Sequence, residues 1–417
     1  MQSSTSQFIN ALRYGSTLVA AQLTVYRNAV PTSVILPVSS ANFTADRNSE
    51  FRRSGQITLE ILPTVPPQTV LVNGVSYGLL PLNPSALLAP FGNEVNIQMS
   101  VIQATAANNA NGTATAGANG WVPMGRYQIA TAVVQDTGVD LTMTLNVYDR
   151  SWAIAQRQLL AAYSVPAAQG DLQSELQALM LTAWGGPVPW TYNITPNPGY
   201  TVPAGAYNQG QDPWQAAQDF FSSAGYELYF DVIGNIVGKP IPNPATSSVV
   251  WNFVEGELGA TGTLAHPLGG TPYTTPVDVS MTLTRDGIPN NFVVGVSGPN
   301  NATVATQLIQ ANAADTNPNS PTYINGPMGN VPNFIFDSLI TTQAQAQAEA
   351  NFDLAQSLAK SWVVAVDTPP NPLFDIDDVC TVSRARLGLS NQKFVVDTIS
   401  TSVRYDSLTS VGGRVIP

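Results

Sequence analysis

Side chains able to do chemistry are scarce in this chain. Its 417 residues include one histidine, His266, one cysteine, Cys380, and three lysines, Lys239, Lys360 and Lys393. A Ser-His-Asp or Cys-His centre needs a histidine beside its nucleophile, and a tetrahedral zinc site needs several His or Cys ligands. What remains is carboxylate chemistry. Asp375, Asp377 and Asp378 could hold calcium through oxygen. The segment lacks the Asx spacing, central glycine and final glutamate of an EF-hand loop, however, and reads as a turn entering a strand. Glu255 and Glu257 could form a glycosidase pair, but two residues apart on one strand they read as solvated. His266, in TLAHPLGG, reads as a loop residue, and Cys380, in DVCTV, as a small core residue. Six scattered tryptophans besides Trp362 could floor a sugar-binding surface; they read as core or interface anchors. No glycine-rich segment runs into a helix bearing Lys-Ser/Thr, so no phosphate loop is expected. The sequence therefore assigns no catalytic residue, cofactor or metal, and the chain reads as a building block or a binder.

Bulk properties agree. Charged residues are 10% of the chain, against about 25% in an ordinary domain, while 44% hydrophobic residues suffice for large cores. A net charge of −11 argues against the basic footprint of a nucleic-acid binder. The length is that of two to four domains. No apolar run is long enough to span a bilayer. The N-terminal MQSSTSQFINALRYG lacks a basic region leading into an apolar one, so neither a membrane span nor a signal peptide is expected. A single cysteine makes no internal disulfide, and an intracellular site of synthesis is the simplest reading.

Any site has to be positioned mostly by strands. Period-two alternation predicts strands over 17–27, 32–38, 56–62, 94–102, 127–134 and 140–148, an antiparallel barrel or sandwich. A helix is predicted over 151–163 and another over 171–184, stopped by Gly185. A third, over 213–224, starts at the Asp212-Pro213 cap. A hairpin turning at Ile233-Gly234-Asn235 follows. Strands return over 277–284, 291–297, 361–366, 379–384 and 393–405. Between them an alanine-rich helix, 342–362, should pack on a sheet through Ala348, Phe352, Ala355, Ala359 and Trp362. The termini, 104–120 and 187–211 read as mobile loops. The expected class is mainly β with α/β insertions. It comprises a β-barrel-like domain over 1–150, a small α/β domain over 151–248, and a second, related barrel-like domain over 249–417.

Several segments, in order, resemble the tail hub or baseplate hub proteins of long-tailed phages, in particular the minor tail proteins of actinobacteriophages. They are FTADRNSEFRRSGQITLEI, LLAPFGNEVNIQ, WVPMGRYQIATAVV, DPWQAAQDFFSSAGYELYFDVIGNIVGKPIP, the Asn290–Val294 strand, AQAQAEANFDLAQ and PPNPLFDIDDVCTV. Asp377 stands where the family carries glycine, while Pro372 and Asp378 keep their places. The resemblance implies two similar β-barrel domains in a homotrimeric ring that joins a sixfold tail tube to a threefold tip. Its partners would be tube or distal tail proteins and tip, tape measure or fibre proteins, with DNA in transient passage and no stable membrane insertion. It implies no catalytic residues. Arg52 and Arg53 follow the Asp46-Arg47 pair on the approach to a strand. At least one of them is expected to make an ion pair or backbone bonds that fix the strand's register or an intersubunit contact; the plainer alternative is a solvated pair. Two other functions stay open at this point: a receptor- or carbohydrate-binding tip protein, and a carboxylate-based glycoside hydrolase.

Overall fold

Alternating apolar and polar residues build most of the chain into strands. The computed structural model describes residues 17–61, 68–103, 120–165, 171–197, 202, 206–240, 247–255, 273–295, 309–336, 340, 342–358, 360–404 and 407–415. His266, Glu257, both termini and nearly all of 104–120 lie outside these. The first part of the chain holds β1 (Thr17–Arg27), β2 (Val30–Pro37), β3 (Ser40–Asp46) and β4 (Arg53–Ile61). The small hairpin of β5 (Thr69–Val72) and β6 (Val75–Gly78) follows, then β7 (Asn93–Gln103), β8 (Val122–Asp136) and β9 (Leu141–Tyr148). Asn28 and Ala29 join β1 to β2 with positive φ, as a two-residue hairpin turn requires. The inward rows are apolar: Ile57 and Leu59, Val95 and Ile97, and Leu145 and Val147 are fully buried.

The middle of the chain is α/β. It runs through α1 (Arg150–Ala155), β10 (Tyr163–Ser164), α2 (Leu172–Trp184), β11 (Tyr192–Ile194), β12 (Ala206–Tyr207) and α3 (Pro213–Ser222), then the hairpin β13 (Tyr226–Phe230) and β14 (Ile236–Pro240). Asp171 caps α2 by accepting from Ser174 N–H at 2.8 Å, and Gly185 ends it with φ +73°. Asp212 caps α3 through Trp214 N–H at 2.7 Å. α1 is shorter than the expected 151–163. The chain leaves the helix because Leu159 exchanges backbone hydrogen bonds with Gly210 and Gln211 instead. The 187–211 segment, read as a loop, contributes the strands β11 and β12.

The last part holds β15 (Trp251–Val254), β16 (Tyr273–Thr274), β17 (Asp278–Leu283), β18 (Asn291–Gly295), β19 (Gln310–Ala314) and β20 (Pro332–Phe336). After α4 (Gln343–Leu358) come β21 (Trp362–Thr368), β22 (Val379–Arg384), β23 (Leu389–Val403) and β24 (Thr409–Val415). No helix among the described residues is long and apolar enough to cross a membrane.

The two outer parts share hydrogen bonds. β23 carries β22 along its first half and β3 along its second, with Thr398 opposite Asp46 and Val403 opposite Ala41. β24, β21 and β17 continue from its other edge. The result is one 14-stranded sheet, running β16-β15-β22-β23-β3-β4-β9-β8-β7-β1-β2 with that branch. No pairing among the described residues closes it, so the expected pair of barrels is corrected to an open, continuous sheet. The physical reason is the 15-residue length of β23, enough to serve both halves. Packing crosses the same seam, since Ala45, Met99, Val101 and Val122 join the core around Trp251, Phe253 and Phe394.

α4 covers the three-stranded sheet β19-β18-β20 with a face other than the expected one. Ala346 and Ala350 are fully buried, whereas Ala348 and Phe352 are half-buried and Ala355 is exposed. In AQAQAEA alanine recurs at every second position and defines no single stripe, so tertiary packing selects the face. Burial pushes the Asp353 carboxyl up to about 6, and its Oδ2 has no hydrogen-bond partner among the described residues. A carboxylate raised in the folded state contributes stability below its unfolded pKa of about 3.9 and loses it as pH rises through the folded value. Asp353→Asn should therefore gain on the parent between about pH 5 and about pH 7.5, measured as urea midpoints. An offset that does not change with pH would contradict this.

Candidate functional site: a buried ionic junction

The charged residues this chain does contain gather where its three parts meet. The turn between β3 and β4 supplies Arg47 and Arg52, and the first residue of β4 is Arg53. Backbone bonds fix it: Asp46 N–H donates to the Arg52 carbonyl at 2.9 Å and Arg47 N–H to the Asp397 carbonyl at 2.9 Å. The Asp46 carboxylate accepts from Asn48 N–H at 2.8 Å and closes the turn locally. Arg53 N–H donates to Asp149 Oδ2 at 2.9 Å, the residue that also caps α1.

Arg52 and Arg53 are 6% and 5% exposed. Arg52 Nη2 donates to Asp377 Oδ2 at 3.0 Å, its Nη1 lies 3.5 Å from Glu227 Oε2, and its guanidinium stacks 3.6 Å above the Tyr229 ring. Arg53 pairs with Asp375. Lys239 Nζ reaches Asp377 at 3.1 Å and Glu227 at 3.5 Å. Arg47 sits 3.5–3.7 Å from Glu227, Asp377 and Asp397. Arg414 Nη1 donates to Asp397 Oδ1 at 3.0 Å. Asp397 faces the junction from a bulge in β23 opposite Gly412 and Gly413, where a Cβ on Gly413 would collide with the Val395 carbonyl.

Asp377 adopts φ +70°, the left-handed region that favours glycine and tolerates aspartate better than most residues. Asp375, Asp377 and Asp378 thus form the turn entering β22, and the first two spend their charge on arginine and lysine. Burial opposes the Asp377 charge, but Arg52, Arg47 and Lys239 outweigh it and hold the carboxyl well below the usual range. Burial likewise opposes the Arg52 charge, and Glu227 and Asp377 outweigh it, raising that group. Glu227 goes the other way: burial and the neighbouring Asp377 push it up against the pull of Arg52.

A second buried cluster docks the middle part on the first. Glu94 Oε1 accepts from Arg150 Nε at 2.8 Å and Gln128 Nε2 at 2.7 Å. Its Oε2 accepts from Arg126 Nε at 2.6 Å and Arg150 Nη2 at 2.7 Å. Arg150 Nη1 also donates to the Gly234 carbonyl at 2.5 Å. Gly234 has φ +84°, and a Cβ there would press on Arg126.

The remaining sequence candidates make none of the junction's ion pairs among the described residues. Glu255 accepts from Ala385 N–H at 3.0 Å at the end of β22, and Cys380 is a fully buried free thiol. Trp190, Trp214 and Trp251 are buried. Sequence reasoning missed Glu94, Arg126, Arg150, Glu227, Lys239, Asp397 and Arg414. The usable signal is their scarcity: where few residues are charged, a charge inside an alternating strand needs a buried partner.

Neither protein-family models nor curated sequences give a match to the chain. Solved structures do. A 43 kDa tail protein of prophage MuSo2 from Shewanella oneidensis matches with TM-score 0.58 at 12% identity, over 94% of this chain and 98% of that one. A tail protein from Neisseria meningitidis matches with TM-score 0.59 at 10% identity, over 95% and 96%. Prophage tail protein gp18 from Listeria monocytogenes matches with TM-score 0.51 at 7% identity, over 94% of both chains. The chain has the fold of prophage tail proteins along nearly its whole length. These likenesses do not single out the actinobacteriophage type.

Removing one partner from a buried ion pair costs about 3–5 kcal/mol, because the other charge is left stranded. Arg52→Met should cost that much in urea denaturation. Arg52→Met combined with Asp377→Asn should recover about 1–3 kcal/mol of the summed single losses. Strict additivity of the two would mean that the pair is not coupled.

Proposed function

We propose that the chain is a structural tail protein of a phage or prophage: a hub that joins the tail tube to the tail tip as a homotrimer and surrounds part of the DNA channel. The carrying observation is the end-to-end fold correspondence with tail proteins, which covers 94–98% of both chains in the Shewanella and Neisseria matches. On this reading residues 1–150 and 249–417 are two related β units standing side by side, with 151–248 as the α/β unit docked beside them. Three copies then offer six similar units to a sixfold tube and three to a threefold tip.

The physical chemistry supports a structural role. A ring subunit needs interfaces of about 2,000 Å² or more with few charges at their centres. A chain with 10% charged residues, many of them committed to internal ion pairs, presents such surfaces with little desolvation cost. A net charge of −11 would keep DNA from adhering if acidic groups face the channel. Tube, tip, tape measure or fibre proteins are the partners on this reading, and DNA passes without being held.

Electron cryomicroscopy of assembled tails tests this. Three copies around the axis, between tube and tip, are the expected result. Density for the chain only in peripheral fibres, or none on the axis, would overturn the hub reading and favour receptor binding.

A further inference from the structure

A bare strand edge is where one chain adds to another, and proteins blunt such edges with charge, proline, short length or a cover. The large sheet follows that rule at its ends. β2 carries Pro31 and Pro37, β17 starts at Asp278, and β16 has two residues. In the small sheet β19-β18-β20 the two sides differ. On β19 the Gln310 and Asn312 carbonyls accept from α4, from Gln343 Nε2 at 2.7 Å and Gln347 Nε2 at 3.2 Å. β20 pairs with β18 alone among the described residues, and no charge or bulge interrupts its five residues.

Register decides what this sheet shows to solvent. Val294, Ala311, Ala313 and Ile335 pack with α4. On the opposite face Phe334 stands beside Val293 and Asn312, and Phe336 beside Gly295 and Gln310. Phe334 is 60% exposed and Phe336 70%. An uncharged edge strand bearing two exposed aromatic rings is a surface made to be covered.

Charge selects the occupant. From Gly287 to Phe336 the sequence runs fifty residues with a single charged one, Asp315, where the chain's 10% share would give about five. Asp315 is buried, and its carboxylate accepts from Asn317 N–H at 3.1 Å and the Thr322 hydroxyl at 2.6 Å. Copies of a chain with net charge −11 repel wherever their acidic groups face each other. Here they meet without opposed carboxylates and without desolvating a charge.

We propose that the open edge of β20, with Phe334 and Phe336, is a contact surface for a second copy of this chain. The neighbour lies along the strand, takes up its free backbone groups and covers both rings. In a ring of three, β20 of each copy meets a different surface of the next, so association does not stop at two. The inference rests on the homotrimer reading for the presence of that copy, and adds where it touches.

The test is sedimentation velocity of the full chain over a range of concentrations, beside the double variant Phe334→Lys, Phe336→Lys. The parent should self-associate. The variant should do so about thirtyfold more weakly or less, the effect of losing a central aromatic anchor, and should keep the parent's circular dichroism spectrum because both rings are exposed. Should it fail to fold, a second probe preserves the aromatic bulk: benzoylphenylalanine in place of Phe334, irradiated in assembled tails, should join two copies of this chain. A parent that stays monomeric, equal association in parent and variant, or crosslinks confined within one chain would each overturn the proposal. Trimers on the tail axis whose position 334 joins only a tube or tip protein would also overturn it, and would leave the hub reading standing. Copies joined to each other but found only away from the axis would support this contact and overturn the hub reading.

Discussion

The cost of burying charge organises this molecule. An ion moved from water into a protein interior loses several kcal/mol of solvation that only well-placed counter-charges return. Arg52 and Asp377 are 325 positions apart, and Arg53 and Asp375 are 322. Their pairs exist only when the first and last parts of the chain are already side by side. Glu227 and Lys239 add the same condition for the middle part. The junction is thus satisfied by one arrangement of three segments and leaves stranded charges in any other.

The continuous sheet acts in the same direction by another means. Pairing of β23 with β3 makes the boundary between the outer parts a row of backbone hydrogen bonds, and core residues cross it. A hinge at that seam would expose edge strands and apolar side chains together. The likeness to prophage tail proteins extends over nearly the whole chain.

Much of this was legible in the sequence, and the gaps have physical causes. Long alternating rows such as Val95, Ile97, Met99 and Val101 are intrinsic patterns, as are the Asp171 and Asp212 caps and the Gly185 stop. β3 escaped because its inward positions are Ala41, Phe43 and Ala45, a weak signal set among Asn, Thr and Asp. β24 escaped because TSVGGRV carries two glycines, required there by the bulge opposite. The face of α4 was decided by the sheet beneath it. Asp377 combines a glycine-like backbone with a charge that the junction uses. An ion pair at Arg52 or Arg53 is an expectation of the sequence, but its partners are not, since Asp377 and Asp375 lie more than 300 residues away.

Native-state hydrogen exchange bears most directly on the claim that the junction makes three segments one unit. Core amides of β4, β13 and β23 should exchange through a common opening, with closely similar free energies and the same denaturant dependence. If the amides of β13 and β14 open well below those of β4 and β23, with a small slope of their own, the middle segment unfolds by itself. The buried charges would then not be what holds the molecule together.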